Sequence, residues 1–277
     1  MAIEYYDRLT YGSSNPFIGA KLKVKRAERH LHELAKAACE LPRMRGYHFV
    51  IAKREPGKLD IVFLPKNPMP LEFGGVVGDA VHNIRAAFDY VAVVISCPPY
   101  GTGKRNKVHF PTGENWQEFI ESRDGRFAST GKRLWKGKMH GAESDALRIV
   151  EELEPYYGGK YSIRELHDLD GWDKHVLIVP TTSLLHVDEL EFMIGDELFS
   201  LTGTDFQPNA DGSNFTATID CRGVDPEQFK RGDRFNASFT MVFGKGQPFD
   251  GQPIIPTLLN LCDVAKDFIK TCEAHFL

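Results

Sequence analysis

Between Gly78 and Tyr90 the chain reads Gly-Asp-Ala-Val-His-Asn-Ile-Arg-Ala-Ala-Phe-Asp-Tyr, a helix with two incompatible faces. At about 100° per residue, His82, Arg85 and Asp89 fall within an arc of about 60°, flanked by Asp79, Asn83 and Tyr90. Val77, Val81, Ile84, Phe88, Val91 and Ile95 occupy the other side, the side a core takes. A core helix carrying a His, an Arg and an Asp on one stripe either anchors a polar network or builds a site. Whatever this chain folds into must bury one face of that helix and supply polar partners for the other.

The surrounding pattern predicts helices at both ends with strands between. Val24, Ala27, Leu31, Leu34, Ala38 and Leu41 recur at helical spacing from about residue 20 to 41, where Pro42 ends the pattern. Residues 47–52 and 59–64 flank Glu55-Pro56-Gly57-Lys58 and read as a hairpin. The central helix is expected from Phe73 to Cys97, stopped by Pro98-Pro99. Asn115 and Glu118 form a capping box for a helix reaching about Phe127. Further helices are expected at 142–154, 162–170 (ending at Gly171) and 255–276.

Four runs near 190–194, 197–201, 215–219 and 235–243 have strand composition and suggest an antiparallel meander. Gly195-Asp196, Asp211-Gly212 and Arg231-Gly232-Asp233 punctuate them. The expected fold is one α+β domain over residues 1–277. Its first, central and last helices form a bundle packed with an antiparallel β-sheet; residues 19–180 are helix-rich with a hairpin near 46–64, and 184–244 strand-rich.

Bulk properties narrow the function classes. The 277 residues carry a net charge of −4 with pI near 6.2, which excludes a generally basic nucleic-acid-binding surface. A local basic stretch remains at 124–141, with Arg126, Lys132, Arg133, Lys136 and Lys138, and reads as an exposed loop. The longest nearly uncharged apolar run, Val91 to Pro99, is too short to span a bilayer, so no membrane association is expected. The N-terminal residues Met1 to Arg8 have no signal-peptide pattern, which points to the cytoplasm. Cys39, Cys97, Cys221, Cys262 and Cys272 form no CxxC pair and read as buried reduced thiols.

A second constellation is Asp173-Lys174-His175 beside Trp172. Should it approach the central helix, His82, His175, Asp89 and Asp173 would meet. No tight metal-ligand spacing accompanies them, so neither a metal nor a cofactor is expected. Nucleophile motifs such as GxSxG are absent, and Gly101-Thr102-Gly103-Lys104 lacks the full phosphate-loop spacing.

The string from Gly78 to Tyr90, followed by Leu153-Glu154-Pro155-Tyr156 and Asp173-Lys174-His175, resembles a widespread group of uncharacterised bacterial and phage proteins. Their pattern is GD-x-x-H-N-L-R-S-A-L-D-H, then D-K-H. That group is in turn distantly similar to the HEPN superfamily of helical proteins, many of them metal-independent endoribonucleases that act as dimers.

This resemblance implies an RNA substrate and a homodimer. Arg85 would hold the scissile phosphate, His82 or His175 would move protons, and Asp89 and Asp173 would orient them. Asp79, Asn83, Tyr90 and Lys174 would line the binding surface. Tyr90 stands where the family pattern has its second histidine, so proton transfer falls to His82 or His175. The alternative is a non-catalytic binding or oligomeric protein in which the same residues form a buried polar clasp.

Overall fold

The computed structural model describes residues 15–55, 57–96, 108–127, 133–139, 142–178, 180–194, 196–209, 214–220 and 229–277. Met1 to Arg8, Cys97, the Pro98-Pro99 stop, the Gly101–Lys104 fragment, Lys132, Asp211-Gly212 and Cys221 lie outside them. The fold is α+β. The chain divides into two compact units, one of residues 1–31, 75–178 and 256–277, the other of residues 32–74 and 179–255.

The helical unit is built around α2 (Glu72–Ser96), the helix with two faces. Val77, Val81, Ile84, Phe88 and Val91 are fully buried, as the spacing predicts. Phe88 stacks on Phe268 of α6 (Ile254–Phe276) at 5.7 Å, and Phe110 meets both rings at 5.0 and 5.7 Å. The first helix, α1 (Ile18–Arg45), is tied to α6 by Lys21–Glu273 and Glu28–Lys266 ion pairs, each 2.5 Å. The terminal helices therefore pack with each other and with the central one.

Helix α1 does not stop at Pro42 but continues to Arg45, and Gly46, at φ 56°, makes the turn. Helix α3 (Trp116–Asp124) starts as expected, with Asn115 Oδ1 accepting from the Glu118 N–H at 3.0 Å. It ends three residues early, because Gly125 adopts φ 96° and opens strand β3 (Gly125–Phe127), paired with β4 (Arg133–Lys136). The basic stretch is therefore partly a hairpin rather than a loop, and Lys138 beyond it is half-buried. Helices α4 (Ser144–Glu151) and α5 (Ile163–Asp173) complete this unit. Gly171 does not end α5; it is the ninth residue of an eleven-residue helix, and that extension decides which side chains reach α2.

The second unit is a six-stranded antiparallel sheet of β1 (Tyr47–Glu55), β2 (Lys58–Pro65), β5 (Pro180–Ile194), β6 (Glu197–Pro208), β7 (Phe215–Asp220) and β8 (Phe229–Phe243). Its strand order is β1-β2-β7-β6-β5-β8. The expected meander holds only for β5, β6 and β7. Strand β8 returns to the free edge of β5, and the early hairpin joins the same sheet through β2 and β7.

The sheet is rolled. Tyr47 of β1 stacks on Phe239 of β8 at 5.3 Å, and Phe63 of β2 on Phe235 of β8 at 5.2 Å, although these strands lie at opposite ends of the order. The alternating inward residues fill the interior, with Ile61, Phe63, Leu185, Val187, Phe206 and Phe215 nearly inaccessible. The Arg231-Gly232-Asp233 sequence makes no turn. Leu190 pairs with Phe235 but Phe192 with Arg231, so a bulge absorbs it within β8.

No helix among the described residues is long and apolar enough to cross a membrane. Of the described cysteines, Cys262 and Cys272 are buried, and burial pushes both thiols up to about 12. Cys39 is exposed on α1, contrary to expectation, because it lies on the polar face of that amphipathic helix.

Candidate functional site

The polar stripe of α2 faces a second one on α5, and both helices belong to the helical unit. Arg164, His167, Asp170 and Lys174 follow each other at spacings of three, three and four, which keeps them on one side of α5. The seam divides into an open half around His82 and a closed half around Arg85.

In the open half, His82 Nδ1 lies 3.0 Å from Asp170 Oδ1. Asp170 is almost completely buried (side chain 7 % exposed) and its other oxygen accepts from Lys174 Nζ at 2.6 Å, whereas the His82 side chain is 56 % exposed. A carboxylate against Nδ1 places the imidazole proton there and leaves Nε2 with a lone pair. Asp170 is thus the residue that orients His82, in place of the expected Asp173. Asp173, three residues further along α5, lies on the same side of the helix but is taken up against Gly78.

Asp173 rests on the backbone of Gly78. A Cβ at that glycine would lie 2.4 Å from both carboxylate oxygens. Burial, reinforced by the charges of Asp170 and Asp79, raises the Asp173 carboxyl above the usual carboxylate range; a backbone hydrogen bond from Ile178 and the His82 imidazole oppose the shift. Gly78→Ala is expected to displace Asp173 at a cost of about 1–3 kcal/mol, against which alanine's better helix propensity returns about 1 kcal/mol. In the double variant with Asp173→Ala most of that cost should vanish, a coupling that denaturant unfolding of the four proteins measures.

In the closed half, Arg85 is 4 % exposed. Its Nη1 lies 2.7 Å from Asp89 Oδ1, Nη2 donates to the Phe110 carbonyl at 3.2 Å, and Nε donates to His167 Nδ1 at 3.2 Å. Asp89 Oδ1 in turn accepts the Phe110 N–H at 2.7 Å. The pair thus clamps the segment at Phe110 onto α2 from both its N–H and its carbonyl. Asn83 is also buried, its amide donating to the Asp79 carbonyl at 2.7 Å.

His167 is held neutral: burial first, then the charges of Arg85, Lys138 and Arg164, lower it from 6.5 to about 4. The sign of the linkage follows. The unfolded chain takes up a proton near pH 6.5 that the folded protein refuses until about pH 4, so this contribution is complete above 6.5 and lost as pH falls through that window. Stability of the wild type should decline there with a slope approaching about 1.4 kcal/mol per pH unit from this one group. A His167→Gln variant, compared by denaturant unfolding at each pH, should lack that increment.

The expected meeting of His82, His175, Asp89 and Asp173 does not form as one cluster. Asp89 serves Arg85 and Phe110, Asp173 packs on Gly78, and His175 is exposed beyond the end of α5, its N–H on the Trp172 carbonyl. Tyr90 and Asp79 are exposed at the margins of the stripe. Lys174 does join the seam, through Asp170.

Four participants were not anticipated: Asp170, His167, Arg164 and Lys138. The signal for the first three was the Arg-x-x-His-x-x-Asp spacing, legible inside the helix expected at 162–170. No group of three or more His, Cys, Asp or Glu side chains arranged to hold a metal ion occurs among the described residues. No family model, curated protein or solved structure matches this chain.

Proposed function

We propose that this chain cleaves RNA by acid–base chemistry at His82, without a metal ion. The observation that carries the reading is an exposed imidazole whose Nδ1 is anchored by a buried carboxylate, leaving Nε2 turned to act on a substrate. Nε2 would take the proton of a ribose 2′-hydroxyl. The 2′-oxygen then attacks phosphorus, and the 5′-oxygen leaves and takes a proton from water. The products are a 2′,3′-cyclic phosphate and a 5′-hydroxyl end. The distant likeness to HEPN proteins supports RNA as the substrate class and a homodimer as the assembly, and scattered cysteines without a CxxC pair support the cytoplasm as the location.

Arg85 is assigned differently from what that likeness implies. Its guanidinium is buried and engaged on three sides, so it positions α2, α5 and the Phe110 segment rather than gripping a scissile phosphate. That same closure favours a second reading, in which the whole seam is a structural clasp in a non-catalytic protein. Incubation of the purified protein with a panel of RNAs in excess chelator separates the two. Cleavage with cyclic-phosphate ends, blocked by 2′-deoxy substitution at the cut site, supports the first reading; no cleavage of any RNA leaves the second.

A further inference from the structure

At one end of the rolled sheet, buried hydrogen-bond donors outnumber the acceptors that face them. Arg45, the last residue of α1, is 7 % exposed, and Tyr47 and Thr182 beside it are 6 % and 8 % exposed. The guanidinium lies 5.8 Å from the centre of the Tyr47 ring. Its Nε donates to the Asn67 carbonyl at 3.2 Å, and its Nη1 reaches the Thr182 hydroxyl at 3.4 Å. No carboxylate pairs with it among the described residues. The carbonyl end of α1 offsets only part of that buried charge. Arg45 Nη2 makes no hydrogen bond among the described residues and is not sealed from solvent.

Tyr47 adds a second donor. Its ring is held by stacking on Phe239 at 5.3 Å, and its hydroxyl is sealed off without a hydrogen bond of good geometry. Burial pushes the phenol up, against the pull of the neighbouring Arg45, so the hydroxyl keeps its proton. A guanidinium only donates, so Arg45 cannot accept that proton. Leaving buried donors unanswered costs free energy, and here one of them carries a full charge.

We propose that Arg45 and Tyr47 bind the carboxylate of a small organic acid. Arg45 Nη2 and the Tyr47 O–H donate to its two oxygens, and Thr182 steadies the guanidinium through Nη1. A carboxylate suits the pair because one negative charge answers one guanidinium, and two coplanar oxygens match two donors. The site lies in the sheet unit and His82 in the helical one, so this proposal and RNA cleavage fail separately.

The test titrates the protein with benzoate, with chloride at matched ionic strength as control, and follows the Arg45 Nε–H and the Tyr47 ring by NMR. Both signals should shift together and saturate, and the Tm should rise with benzoate concentration. Tyr47→Phe removes the hydroxyl alone. It should weaken benzoate binding by about tenfold, the worth of one hydrogen bond to a charged group. Without benzoate it should not lower the Tm, because no hydrogen bond is lost.

The proposal is overturned if benzoate at about 20 mM, enough to fill even a millimolar site, moves neither signal. It is equally overturned if Tyr47→Phe binds benzoate as the wild type does. A lower Tm for Tyr47→Phe without benzoate would also overturn it, since the hydroxyl would then be answered within the fold. A response to inorganic phosphate and none to benzoate would overturn the choice of a carboxylate.

Discussion

Replacing His82 with alanine is expected to slow RNA cleavage by about 10²–10⁴-fold, the range supplied by one positioned proton-transfer group. The imidazole is more than half exposed, and apart from a weak pull on Asp173 its described role is the single bond to Asp170. Removing it leaves Asp170 still paired with Lys174, so no buried carboxylate is orphaned. Alanine also suits the middle of α2 better than histidine does. Stability should therefore stay within about 1 kcal/mol of wild type while activity falls. A matched fall in both would mean that His82 supports the fold rather than the chemistry.

Arg85→Ala is the opposite case. Here a buried guanidinium is withdrawn from a carboxylate, a carbonyl and an imidazole nitrogen together. Breaking a buried pair from one side typically costs about 3–5 kcal/mol, since the partner is left in a poorly solvated place. Asp89 is 30 % exposed and keeps the Phe110 N–H, which puts the expectation near the lower end, about 3 kcal/mol. For a unit of this size that is a fall in Tm of very roughly 6–12 °C, readable by calorimetry.

Lysine should not rescue the position, because one ammonium cannot reach three acceptors set out for a planar fork. Near-wild-type stability of Arg85→Ala would show that the clamp on Phe110 is incidental.

Much of this arrangement could be read from local pattern. The apolar side of α2, the Asn115–Glu118 cap and the helix at 255–276 depend on neighbours three or four residues apart, and all three stand as expected. The Arg85–Asp89 pair is of the same kind, one helical turn along a single element.

What escaped was set by distance along the chain. His82 meets Asp170 across 88 residues and Arg85 meets His167 across 82, and no periodicity announces such a pairing. A glycine misdirected the rest. Gly171 carries a normal helix-breaking cost of about 1 kcal/mol, yet α5 runs through it to Asp173, which brings the Asp173 carboxylate onto Gly78 of α2. Strand β8 posed the same difficulty: Arg231-Gly232-Asp233 has the composition of a turn, but the pairing with β5 absorbs it as a bulge.

The division of the seam into a working imidazole and a structural guanidinium can be tested on one protein. Alanine at position 82 leaves a solvent-accessible gap beside Asp170, wide enough for a free imidazole to enter and be oriented by the same carboxylate. Added imidazole should restore cleavage by His82→Ala in chelator, with a rate that rises and then saturates with its concentration, and should do nothing for His82→Ala/Asp170→Asn. Equal rates with and without imidazole, or cleavage by His82→Ala as fast as by wild type, would contradict a proton-transfer role for this residue.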